Sequence, residues 1–64
     1  MSVEKIKELI QSTLQESGYM YTLGMLKGMF VARVFSAEEW VLHVAYLNDL
    51  NMEILRWNRT NTEI

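Results

Sequence analysis

Sixty-four residues, half of them hydrophobic, with eight Asp and Glu against six Lys and Arg, make one small domain at most. The mild acidity argues against a general binder of nucleic acid or anionic membrane, which needs a basic excess. The absence of cysteine and the lone His43 exclude disulfides, thiolate zinc sites and an imidazole-rich metal site within one chain.

A chain of this length buries only about 60% of its unfolded surface. Without a disulfide or a metal, oligomerisation is the remaining way to enlarge the core. The opening Met-Ser-Val-Glu-Lys reads as the start of a polar helix rather than a signal peptide, and a cytoplasmic location is expected.

Ser2 is placed to cap the first helix, and Glu4 faces the positive end of its dipole. Val3, Ile6, Ile10 and Leu14 then recur at helical spacing, with Glu4, Glu8, Gln11 and Gln15 opposite. The pattern is that of an amphipathic helix with a narrow apolar stripe. At Ser17-Gly18 two readings separate. Continued at about 100° per residue, the stripe passes Ser17 and meets Met20, Tyr21, Gly24, Gly28, Val31, Ala32 and Phe35. Thr22 and Arg33 continue the polar side. This shared phase predicts one long helix over residues 3–35, kinked at Gly18 at most. In the alternative, Gly18 is a cap that ends the first helix, and the chain forms three helices.

From Tyr19 to Phe35 the only charges are Lys27 and Arg33. Gly24, Gly28 and Ala32 stand four residues apart, which puts them on one helix face and predicts a shallow groove for close packing against another helix. The same spacing occurs in membrane helices, but a stretch of seventeen residues broken by Lys27 is too short and too polar for a span. A β reading of Tyr19–Thr22 and Phe30–Phe35, which contain good strand formers, stands as a minor alternative, disfavoured because neither run alternates apolar and polar residues.

Ser36-Ala37-Glu38-Glu39 is a capping box, and Phe35 with Trp40 forms a hydrophobic staple around it. Helix is expected from residue 37 to about 57. Trp40, Leu47 and Ile54 recur every seven residues, as do His43, Leu50 and Trp57, which makes a packing seam with Asn51 near its middle. The polar residues 58–64 are expected to fray.

No residue pattern carries catalysis. His43 lies on the seam with no oriented nucleophile on its helix, so it reads as a packed histidine. Arg56-Trp57-Asn58-Arg59 mixes cations with an aromatic, but Trp57 belongs to the seam. A helix-turn-helix would push Glu38 and Glu39 toward the DNA.

The chain is therefore expected to be all-α, a helical hairpin whose long arm exposes Val3, Ile6, Ile10 and Leu14. A second copy would cover that stripe in a homodimeric four-helix bundle. A three-helix monomer is the alternative. The expected packing and interface set is Val3, Ile6, Ile10, Leu14, Gly24, Gly28, Ala32, Trp40, His43, Leu47, Leu50, Asn51, Ile54 and Trp57. The function expected is that of a non-enzymatic interaction protein, a small regulator or inhibitor acting as a homodimer, with no cofactor, metal or small-molecule substrate. A nucleic-acid-associated transcriptional regulator is the alternative.

Overall fold

Gly18 divides the first half of the chain. In the computed structural model, which describes residues 2–62 and the side chains of residues 2–58, its φ is 86° and its ψ 176°. Essentially only glycine adopts that region cheaply. Its N–H donates to the Leu14 carbonyl at 3.1 Å, which closes helix α1 (Val3–Ser17). Its own carbonyl accepts from the Thr22 N–H at 3.2 Å and the Thr22 hydroxyl at 2.8 Å, which opens α2 (Tyr19–Val31). One residue thus ends one helix and starts the next. The long helix over 3–35 is replaced by two, and the three-helix alternative describes the chain.

The second junction is made by a different device. The Arg33 N–H donates to Phe30 and the Val34 N–H to Met29, at 3.0 and 2.9 Å. Arg33 has φ 61°. This is a Schellman cap, with an arginine where glycine is usual. Ser36 then starts α3 (Ala37–Thr62). The capping box is formed in both directions: Ser36 N–H to Glu39 Oε1 at 3.1 Å, and Glu39 N–H to Ser36 Oγ at 3.3 Å. These bonds hold the Glu39 carboxyl below its ordinary pKa. The staple is formed as well, with the Phe35 and Trp40 rings stacked at 6.5 Å.

All three helices pack on one another. Ile6, Ile10 and Leu14 from α1, Leu26 from α2, Leu47 from α3 and Phe35 from the linker form the core. The stripe of α1 is therefore covered within one chain, apart from Val3, which is partly open at the helix end. The expected need for a second copy to cover it disappears. Ser2 caps α1 as expected, accepting from the Lys5 N–H at 3.2 Å.

The inward face of α2 is the reverse of the one expected. Thr22, assigned to the polar side, is buried together with Leu26, whereas Met20, Tyr21, Gly24, Gly28 and Val31 face outward. A helix that is apolar all round offers no periodic signal for its inward face, so the packing of its neighbours chose it. Gly24 and Gly28 have nothing within 4 Å of where a Cβ would stand, and Ala32 is exposed. The expected groove is not used within the chain.

At about 1.5 Å per residue, α3 is about 39 Å long, against about 22 and 20 Å for α1 and α2. It overhangs them. The extents are 44 × 18 × 16 Å and the radius of gyration is 12.7 Å, above the roughly 10.7 Å of a compact domain this size. The seam is buried at His43 and Leu47, half-buried at Trp40, Leu50, Asn51 and Ile54, and ends before the exposed Trp57. Helical geometry continues through Thr62, past the expected boundary at Trp57. Of residues 58–64, where fraying was expected, 58–62 are helical and 63–64 lie outside the described part.

Candidate interaction surface

His43 is the residue with the most chemistry to offer, and its surroundings leave it inert. It is 1% exposed, packs edge-on against Phe35 at 4.9 Å, and its Nε2 has no hydrogen-bond partner. Burial lowers its pKa, Glu39 opposes this, and Lys7 of α1 lowers it further. Burial and Lys7 both favour the neutral ring. Beside it, a cleft of about 520 Å³ opens at the α2–α3 junction, lined by Phe30, Val31, Arg33, Val34 and the Ser36 box. There the Ser36 hydroxyl oxygen and the Glu39 carboxylate both accept backbone N–H groups of the cap. Among the described residues no cluster of His, Asp or Glu could hold a metal, and no helix is long and apolar enough to cross a membrane.

What remains is surface. Five contacts fix how the helices face one another. The Tyr19 hydroxyl donates to Asn48 Oδ1 at 2.6 Å and Phe30 stacks on Trp40 at 5.3 Å, which marks the line between α2 and α3. On the other flank, the Thr13 hydroxyl meets Met25 Sδ at 3.7 Å, joining α1 to α2. Gln11 Nε2 donates to the Tyr46 hydroxyl at 2.6 Å and Lys7 Nζ lies 5.2 Å from the Tyr46 ring centre, joining α1 to α3.

Helical spacing then places the exposed residues. On α2, Met20, Lys27, Val31 and Gly24 lie roughly 80–140° round from Tyr19, on the side away from Met25. On α3, Asn48, Val41, Met52 and Ala45 lie roughly 80–140° round from Trp40, on the side away from Tyr46. The two sets flank the α2–α3 line on the same side of the bundle, opposite α1. Met20 is 77% exposed, Val31 71%, Val41 63% and Met52 57%. Single exposed apolar side chains are ordinary, but helical phase groups these as a strip on one side of two adjacent helices. Lys27 is the one charge within it, and Glu38 stands at its rim.

The charges on the rest of the bundle sharpen the contrast. Every described acidic side chain belongs to α1 or α3, and none lies between Tyr19 and Ser36. The faces beside α1 carry Glu4, Glu8, Gln15, Asp49 and Glu53, all exposed. The α2–α3 face holds one charge, Lys27, although Tyr21 and Leu42 are exposed outside it.

Of the expected site residues, the structure gathers Ile6, Ile10, Leu14, Trp40, His43, Leu47, Leu50 and Ile54 in or against the core. Gly24 is on the α2–α3 strip, while Gly28, Ala32 and Trp57 face solvent elsewhere. The strip residues Met20, Val31, Val41, Ala45 and Met52 were not among the expected interface residues. Val41, Ala45, Asn48, Met52 and Leu55 do repeat at spacings of four and three, a second seam that the stronger Trp40–Leu47–Ile54 seam concealed. In comparison with known proteins, the chain matches no family model, no curated relative and no solved structure.

Proposed function

We propose that this chain is a non-enzymatic interaction protein, a small regulator or inhibitor that works by presenting its α2–α3 face to another protein surface. The observation that carries this reading is the exposed group of Met20, Gly24 and Val31 beside Val41, Ala45 and Met52, on the side of the bundle away from the acidic residues of α1. Burying such a strip gains about 25 cal/mol per Å² of apolar surface, and rigid helices lose little freedom on docking. The engaged Ser36 and enclosed His43 give no support to a catalytic reading. The nucleic-acid alternative is not favoured either, since Glu38 and Glu39 occupy the first turn of α3.

Site-specific photocrosslinking in the native host tests this. A photoreactive side chain in place of Val41 should give covalent protein adducts. The same group in place of Gln15, on the polar side of α1, should not. No adduct at Val41, or equal yields at both positions, would overturn the reading.

A further inference from the structure

What disqualifies His43 as a catalyst suits it as a proton sensor. Its ring is 1% exposed and stands edge-on to Phe35 at 4.9 Å. Phe35 is the core residue that the linker between α2 and α3 supplies. The next residue, Ser36, donates its N–H to Glu39 Oε1 at 3.1 Å. Glu39 precedes His43 by four residues on α3, so the two side chains share one helix face. Two of the ties between the Phe35–Ser36 segment and α3 thus meet at Glu39 and His43.

A proton on the imidazole makes both of its nitrogens donors, and Nε2 has no hydrogen-bond partner. An enclosed cation of this kind is costly unless it is paired. The charges around it offer a single answer. From α1 the group that faces it is Lys7, which repels a cation. The one charge of α2 is Lys27, which is exposed, and that of the linker is Arg33, exposed as well. Tyr46, further along α3, is turned to Gln11 and Lys7. Among the described residues the acid coupled to the ring is Glu39. Its two possible donors lie on opposite sides of it along the helix, Ser36 before the first turn and His43 one turn later. The carboxylate therefore meets one or the other.

We infer that His43 makes the α2–α3 junction acid-labile: on taking up a proton it draws the Glu39 carboxylate from the Ser36 N–H, undoing half of the capping box and loosening the Phe35–Ser36 segment while the rest of the bundle stays folded. The two forms of the junction differ in proton affinity, so pH selects between them. Burial and Lys7 favour the neutral ring in the capped form. That form prevails above the ordinary histidine value of 6.5, and the loosened form gains as pH falls below it. The same segment lines the cleft at the junction, so acid reshapes this end of the bundle.

Nuclear magnetic resonance of the full chain, titrated from about pH 7.5 to about pH 5, tests this. The range lies above the 4.5 of an ordinary glutamate, so Glu39 stays charged throughout. The His43 ring should titrate, and the Ser36 amide proton should move with the same midpoint. The protection of Ser36 from hydrogen exchange should fall on the order of tenfold relative to that of Leu47. Glu39→Gln keeps an acceptor for the Ser36 N–H but no charge for the imidazolium. In that variant the His43 midpoint should fall, and Ser36 should keep its protection. His43→Leu should remove the Ser36 titration. A ring that titrates while Ser36 keeps its protection would overturn the switch, as would a ring that stays neutral across the range. Equal loss of protection at Ser36 and Leu47 would mean global unfolding and overturn it too. So would a Ser36 titration that survives in either variant.

Discussion

Replacing Gly18 by alanine puts the three-helix architecture to a test of sign. The site is sterically open, since nothing lies within 4 Å of an added Cβ, so no clash contributes. What changes is the backbone. At φ 86° and ψ 176° a non-glycine residue costs on the order of 1–3 kcal/mol, and a domain of this size holds only about 3–5 kcal/mol in all. At about 4–8 °C per kcal/mol, melting should fall by roughly 10 °C. If the helix instead ran through Gly18, the same change would gain about 1 kcal/mol of helix propensity, and melting would rise. Gly28→Ala is the internal control. It sits inside α2 with open space around it, so it should gain about 1 kcal/mol. Circular dichroism melts and urea titrations at low micromolar concentration read both variants. Gly18→Ala melting at or above wild type would refute the break at this residue.

Arg33→Gly should raise stability by about 0.5 kcal/mol, the relief of a left-handed arginine less the entropy glycine adds to the unfolded chain; a urea midpoint that does not increase would count against the Schellman cap. Ile6→Asp with Ile10→Asp puts two unpaired charges into the core, each costing several kcal/mol, so the cooperative melt should vanish at every protein concentration. Ser36→Ala removes one half of the capping box and should cost about 1 kcal/mol, read as a lower urea midpoint with an unchanged slope. For His43 the folded pKa lies below 6.5, so the unfolded chain binds the extra proton. Stability should be full above pH 6.5 and decline as pH falls through it, and His43→Leu should flatten that part of the pH profile.

The termini of the helices could be read locally because their signals are local. Ser2, Ser36 and Glu39 act on backbone groups three residues away, and no distant contact is needed to recognise them. The seam of Trp40, His43, Leu47, Leu50 and Ile54 was legible for the same reason, except at Trp57. There the limit is the length of α1 and α2, which end short of it. The break at Gly18 was legible only as one of two readings. Local propensity allows glycine either to continue a helix or to reverse it, and the choice is decided by what α1 gains on folding back over α2. The face of α2 was hidden for a related reason. With Lys27 its only charge, every rotation about its axis buries apolar residues, and the contacts of Tyr19 and Phe30 with α3 and of Met25 with α1 select one.

That freedom bears on how folding and assembly divide the apolar residues. Ile6, Ile10, Leu14, Leu26, Phe35 and Leu47 complete a core inside one chain, so self-association is not required to cover the stripe of α1. Met20, Val31, Val41 and Met52 are then surplus to folding, and exposing them offers the monomer no stability. Polar residues there would keep the same core and remove the bare strip. Retaining it is understandable if a second surface covers it, and that separates two kinds of substitution. Changes at Ile6 or Ile10 should abolish folding whatever the concentration. Changes at Val41 should leave the melt of a dilute sample near its wild-type value, because the side chain is exposed and outside the core. If both kinds of substitution lowered the dilute melt equally, the strip would belong to the core, and the division between folding and assembly would fall.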